Sequence, residues 1–173
     1  MGGNQAETVG QLMKEHLEIE RKFILSRLPE GLLDHVQGDE IKQGYLIREN
    51  GQELRIRKRN EEYWMTLKQG SGLSRVEQEC SIPSGQFEML WPLTAGKRIE
   101  KTRYVVKQQD LLFEVDLFKE DLEPLILLEI EFENLVASRE FKVPLFLGQE
   151  VTEDEEYKNA VLATFGLPDS FAR

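Results

Sequence analysis

Residues 53–59 read Glu53-Leu54-Arg55-Ile56-Arg57-Lys58-Arg59. Arginines recur at every second position, with aliphatic Leu54 before the first and Ile56 between the first two. Successive side chains of a strand point to opposite faces, so Arg55, Arg57 and Arg59 share one face and Leu54 and Ile56 the other. On a helix, residues two apart diverge by about 200°, which would scatter the guanidinium groups around the axis. The stretch reads as a strand with one cationic face and one buried face.

The same period runs outward in both directions. Upstream, Leu17 to Phe23 alternates Glu18, Glu20 and Lys22 with Ile19, Arg21 and Phe23, and Ile41 to Arg48 reads as a strand through Tyr45. Downstream, Tyr63 to Lys68 and Arg75 to Ile82 flank Gln69-Gly70-Ser71-Gly72, a glycine-rich hairpin signal. Arg98 to Val106, Leu111 to Phe118 and Leu125 to Glu133 bring the expected strands to about eight. Helical stretches are fewer: Leu28 to Val36 after Pro29, Ser84 to Leu90, Ser138 to Phe141 and Asn159 to Phe165. Many strands joined by short turns suggest a sandwich or a barrel.

Six of these strands carry charges at i and i+2: Glu18/Glu20/Lys22, Arg55/Arg57/Arg59, Glu77/Glu79, Lys101/Arg103, Glu114/Asp116 and Glu129/Glu131/Glu133. A solvated sheet face usually mixes Thr, Ser, Gln and Lys. Here some strands carry only acids in this set and others only bases, and like charges side by side repel unless an opposite charge lies between them. Paired carboxylates suggest a divalent cation, and paired arginines and lysines suggest phosphate or carboxylate. Together they predict a metal–polyphosphate site. A closed barrel would hold both sets in its lumen. The acids would be Glu18, Glu20, Glu77, Glu79, Glu114, Asp116, Glu129 and Glu131, and the bases Lys22, Arg55, Arg57, Lys68, Arg75, Lys101 and Arg103.

Composition narrows the alternatives. The 173 residues are close to one domain, with residues 1–15 expected as a flexible tail and 16–173 as a single domain. One cysteine, Cys80, excludes an internal disulfide framework, and two histidines argue against a histidine-rich metal site. No basic-then-apolar leader stands at the N-terminus, so a cytoplasmic location is expected. A formal charge of −10 makes duplex nucleic acid and anionic membrane poor partners, leaving a small anionic substrate held by a local excess of cations.

These motifs, in this order, resemble the CYTH family of triphosphate tunnel metalloenzymes. Glu18-Ile19-Glu20-Arg21-Lys22 matches the family's Glu-x-Glu-x-Lys signature. It is followed by Gln43-Gly44-Tyr45-Leu46, Leu54-Arg55-Ile56-Arg57, Thr66-Leu67-Lys68, Leu73-Ser74-Arg75, Glu100-Lys101-Thr102-Arg103-Tyr104, Phe113-Glu114-Val115-Asp116 and Glu129-Ile130-Glu131. The match continues through Val151-Thr152-Glu153-Asp154 to Tyr157-x-Asn159.

The resemblance implies an α+β, mostly antiparallel β chain: an eight-stranded closed tunnel barrel with helices packed outside. It implies Mg²⁺ or Mn²⁺ at Glu18, Glu20, Glu129 and Glu131, with Glu77, Glu79, Glu114 and Asp116 as further metal or supporting carboxylates. Lys22, Arg55, Arg57, Lys68, Arg75 and Arg103 match phosphate-binding positions. Lys101 and Tyr45 match a Lys–Tyr pair that promotes attack by water. The activity implied is that of the short bacterial inorganic triphosphatases, tripolyphosphate giving pyrophosphate and phosphate. A class IV adenylate cyclase or thiamine triphosphatase on the same scaffold, taking a nucleoside or thiamine triphosphate, remains an alternative, as does a non-catalytic polyphosphate- or nucleotide-binding module; a homodimer is left open. Glu155 and Glu156 depart from the pattern, which often has bases just before the tyrosine.

Overall fold

A computed structural model describes residues 19–71 and 74–171, with residues 70, 71 and 74–76 described by their backbone alone. The expected N-terminal tail and Glu18 lie outside the described residues, as does the side chain of Arg75. The strands are β1 (Ile19–Ile24), β2 (Gly38–Glu49), β3 (Gln52–Arg59), β4 (Glu62–Ser71), β5 (Ser74–Ser81), β6 (Arg98–Gln108), β7 (Leu111–Phe118) and β8 (Ile126–Phe132). The α-helices are short: α1 (Ser84–Leu90), α2 (Leu135–Glu140) and α3 (Asn159–Phe165). Every strand pairing is antiparallel, in one sheet ordered β1-β8-β7-β6-β2-β3-β4-β5.

Tight turns set the register. Glu49 pairs with Gln52, so Asn50 and Gly51 alone join β2 to β3, and both take positive φ (50° and 73°). That is the backbone of a turn whose twist matches the strands it links. Gly44 is required for a different reason: a Cβ there would come within 2.5 Å of the Thr94 hydroxyl, which packs against β2.

Among the described residues no ladder joins β5 to β1, so the closed ring expected from the sequence is observed as a sheet with two edge strands. The outer edge of β1 is taken by the chain at 149–152. Ile24 N–H donates to the Gln149 carbonyl (2.8 Å), Val151 N–H to the Lys22 carbonyl (2.8 Å), and Lys22 N–H to the Thr152 hydroxyl (3.0 Å). Arg21 fastens this segment from outside, with Nε and Nη2 on the two carboxylate oxygens of Glu150 (2.8 and 2.6 Å).

The helices pack outside and at one end. On the outer face, Phe87 of α1 meets Ile56 and Ile82, and α2 lies over the cluster of Phe23, Phe113, Leu128, Ile130 and Phe132. At one end of the inner face, Ile99, Phe118 and Leu127, in phase with Lys101, Asp116 and Glu129, meet Ala160, Leu162 and Ala163 of α3. The interior is therefore apolar where α3 plugs it and charged beyond.

The helix expected over Leu28 to Val36 is a run of turns. Gly31 and His35 have positive φ (76° and 63°), and the bonds are of the i to i+3 kind, such as Asp34 N–H to the Gly31 carbonyl. Near the C-terminus, α2 begins earlier than expected because the Asn134 side chain caps it, accepting from Ala137 N–H (2.9 Å). No helix among the described residues is long and apolar enough to cross a membrane.

Candidate active site

Charged side chains from six strands surround one cavity of about 270 Å³. It is lined by Glu20 and Lys22 of β1, Arg55 and Arg57 of β3, Lys68 of β4, Lys101 and Arg103 of β6, Glu114 of β7, and Glu129 and Glu131 of β8. In sheet order, β1 stands at one edge and β4 next to the other. The sheet must therefore curl to bring Glu20 and Lys68 to one space. A more open chamber of about 690 Å³ shares Glu20, Lys22, Arg55, Lys68 and Asn159 with the first. It lies between the β2–β3 turn and residues 152–160.

One wall is a compact ionic network centred on Asp116, which is 1% exposed. Its carboxylate accepts from Lys101 Nζ (2.5 Å) and from Arg103 Nε and Nη2 (2.6 Å each). Arg103 reaches on to Glu129 (2.9 Å) and to Glu114, and Lys22 Nζ holds the other oxygen of Glu129 (2.9 Å). Burial opposes the charge of Glu129, yet Lys22, Arg103 and Lys101 outweigh it and hold this carboxyl well below its ordinary range. Burial also works against Lys22 and Arg103, but their carboxylate neighbours raise both. Lys101 goes the other way: burial, then the charge of Arg103, lower it despite Asp116.

The facing wall holds cations with less company. Lys68 Nζ lies 2.6 Å from Glu77, which Arg55 approaches at 3.6 Å. Arg57 Nη2 donates to Glu79 (3.3 Å), which also accepts from the Thr66 hydroxyl (2.6 Å). Burial, then the neighbouring Arg55 charge, lowers the pKa of Arg57. The Nε–H groups of both Arg55 and Arg57 are buried without a hydrogen-bond partner among the described residues. A buried donor left unmet costs about 1–3 kcal/mol. Two such donors, side by side on a cavity wall, fit an anion.

The carboxylates fit a hard divalent cation in donor chemistry. Glu20 stands directly opposite Glu131 in the β1–β8 ladder, and both line the cavity. Like charges facing across a ladder are unfavourable unless a cation is shared, and carboxylate oxygen is the donor Mg²⁺ takes. Among the described residues no three acidic, histidine or cysteine side chains form a ready-made metal cluster. Glu129 is committed to Lys22 and Arg103.

Several expected residues fall elsewhere in this arrangement. Asp116, Glu77 and Glu79 are engaged by cations, behind or beside the lining. Lys101 and Tyr45 are not adjacent: Lys101 stands opposite Ile41, four residues along β2 from Tyr45. The Tyr45 hydroxyl accepts instead from Gln43 Nε2 (2.6 Å), and burial raises its pKa, keeping the phenol neutral. Ile41, Gln43 and Asn159 also line the cavity. Gln43 was within reach of the period-two pattern through Tyr45, whereas nothing in the local sequence aims Asn159 at strands so far away.

The family model of the CYTH domain matches residues 16–157. The inorganic triphosphatase of Nitrosomonas europaea is 50% identical over 148 residues, spanning 84% of this chain and 96% of that protein. The inorganic triphosphatase of Acetivibrio thermocellus is 38% identical over 149 residues, spanning 84% of this chain and 92% of its own. The crystal structure of the inorganic triphosphatase NE1496 superposes with a TM-score of 0.69 at 46% identity, covering 85% of this chain and 94% of that one.

Proposed function

The chain belongs to the CYTH family, and from that premise we propose that it is a divalent-cation-dependent inorganic triphosphatase, hydrolysing tripolyphosphate to pyrophosphate and phosphate. The observation that carries the reading is the pair of buried Nε–H donors of Arg55 and Arg57, without a partner among the described residues, on the wall of a cavity lined by six cations. Tripolyphosphate carries several negative charges and oxygens along its whole length. It satisfies both donors while drawing on Lys68, Arg103 and Lys22 for charge.

In this reading the chain's residues divide the work. Arg55, Arg57 and Lys68 bind phosphoryl oxygens, with Arg75 in the same set. Arg103, fixed by Asp116 and Glu114, places its positive charge beside the negative charge of the transferred phosphoryl oxygens. Glu20 and Glu131, with Glu18 in the same set, would hold the divalent cation, Mg²⁺ or Mn²⁺, and Glu129 would join them only by parting from Lys22 or Arg103; the cation would neutralise phosphate charge and lower the pKa of water. Lys101 is assigned to the attacking water, since its proton is held less firmly than an ordinary lysine's. Water oxygen bonds to the terminal phosphorus, the bridging P–O bond breaks, pyrophosphate leaves, and the water proton passes to Lys101 in its neutral amine form, which the lowered pKa makes more accessible than in an ordinary lysine. Tyr45 acts through Gln43 as a positioning residue.

The test is a substrate panel. Purified protein is incubated with tripolyphosphate, ATP and thiamine triphosphate, with Mg²⁺, with Mn²⁺ and with chelator. Phosphate, pyrophosphate and cyclic AMP are then measured. Metal-dependent release of phosphate and pyrophosphate in equal amounts from tripolyphosphate, at the highest kcat/KM of the panel, is expected. Preferential turnover of ATP to cyclic AMP or of thiamine triphosphate overturns the substrate assignment, and binding without turnover reduces the chain to a polyphosphate-binding module.

A further inference from the structure

The sign of the charge reverses along the path out of the inner cavity. Inside, six lysines and arginines face four carboxylates. In the outer chamber, beyond the residues the two spaces share, the charged lining is Arg48 and Lys158 against Glu49, Glu53, Asp154 and Glu155. Lys158 Nζ is bonded to Glu155, and Arg48 stands opposite Glu53 in the β2–β3 ladder. Four carboxylates against two cations leave this rim negative where the interior is positive. The two sides of the rim belong to different parts of the chain, the β2–β3 turn and the segment between residue 152 and α3, so acids stand on both sides of the chamber.

We propose that this acidic rim is a chain-length filter, admitting a triphosphate to the cationic cavity and rejecting linear polyphosphates of four or more units. The inference rests on the triphosphatase reading and deepens it. A chain of three phosphates seated on Arg55, Arg57 and Lys68 keeps its charge inside. Each additional phosphate adds negative charge that has to stand among Glu49, Asp154 and Glu155. Repulsion of this kind acts over several ångströms and is damped by salt, since the screening length is about 10 Å at 0.1 M ionic strength and about 3 Å at 1 M. Selectivity by rim charge therefore carries a signature that selectivity by shape does not: it fades as salt is added.

Glu49 and Glu155 are exposed, so their substitution leaves the core untouched. Binding of tripolyphosphate and of tetrapolyphosphate is measured by calorimetry without divalent cation, at 20 mM and 500 mM salt, for the full chain and for the double variant Glu49→Lys/Glu155→Lys. The wild type is expected to prefer tripolyphosphate at low salt. In the double variant the affinity ratio of tetrapolyphosphate to tripolyphosphate rises about tenfold, as Coulomb interactions of two reversed charges at the rim allow. At high salt the difference shrinks severalfold. A milder pair, Glu49→Gln/Glu155→Gln, moves the ratio in the same direction by less and serves if the lysine variant does not fold. A ratio that neither pair changes, or equal affinity of the wild type for both polyphosphates at low salt, overturns the filter. Phosphate release with Mg²⁺ is followed separately. Its absence rejects the triphosphatase reading, while the binding ratio still decides the filter.

Discussion

Replacing Asp116 with asparagine removes the carboxylate on which Lys101 and Arg103 both rest. Asp116 is 1% exposed and Lys101 3%, so neither charge has water to fall back on. The asparagine keeps the shape and one acceptor oxygen but turns an N–H₂ towards two cations. Removing one partner of a buried ion pair costs about 3–5 kcal/mol, a large share of the roughly 5–15 kcal/mol by which a domain is stable. With an m-value of about 2 kcal/mol per M, the urea midpoint falls by about 1.5–2.5 M.

The pH dependence identifies the cause. The folded pKa of Lys101 already lies below its ordinary value and falls further without Asp116. Between the folded and unfolded values the unfolded chain binds more protons, so stability rises with pH there. The deficit of Asp116→Asn relative to wild type therefore narrows from pH 7 towards pH 10. The double variant Asp116→Asn/Lys101→Met, which discards the second charge as well, recovers a large part of the loss. Equilibrium urea unfolding at three pH values measures all of this. A single variant that loses less than about 1 kcal/mol, or a deficit independent of pH, refutes the claim that Asp116 is the buried counter-charge of this wall.

Three further outcomes follow from the same contacts. Arg55→Ala and Arg57→Ala each weaken tripolyphosphate binding by about 10–100-fold, the worth of a hydrogen bond to a charged group, while the melting temperature holds or rises because a repelling cation has gone; calorimetry and thermal unfolding read the two effects separately. Gly148→Ala places a Cβ 2.3 Å from the Ile24 carbonyl oxygen, so the segment along β1 has to shift; stability falls by about 1–3 kcal/mol, visible as a lower melting temperature. Glu129 is held well below its ordinary value of 4.5, so its contribution is present above that pH and lost as pH falls through the depressed folded value; Glu129→Gln flattens the acid limb of the stability profile.

The strands and their facing were legible because charge made the period audible: Arg55-Ile56-Arg57 and Glu129-Ile130-Glu131 have no sensible helical reading. Convergence on one cavity followed from the same pattern once the sheet curled. Partnership was not legible. Asp116 and Glu77 look like cavity carboxylates in sequence, yet which acid meets a cation depends on inter-strand register, and the pairing of Arg103 with Asp116 sets one wall. Distance along a strand was equally hidden. Lys101 and Tyr45 both belong to the inner face, but Tyr45 lies near the α3 plug and Lys101 opposite Ile41. The run at 28–36 carries an apolar spacing that suits a helix, and backbone sign at Gly31 and His35 overrode it. The cover on the β1 edge comes from residues 149–152, whose extended backbone bonds carry no periodic mark.

A crystal structure of the protein with tripolyphosphate and a non-supporting divalent cation tests the central claim most directly. The account predicts phosphorus density inside the cavity, with phosphoryl oxygens within hydrogen-bond distance of the Nε atoms of Arg55 and Arg57 and the cation beside Glu20 and Glu131. Triphosphate bound on the outer face, or an inner cavity that stays filled with water at saturating ligand, contradicts it.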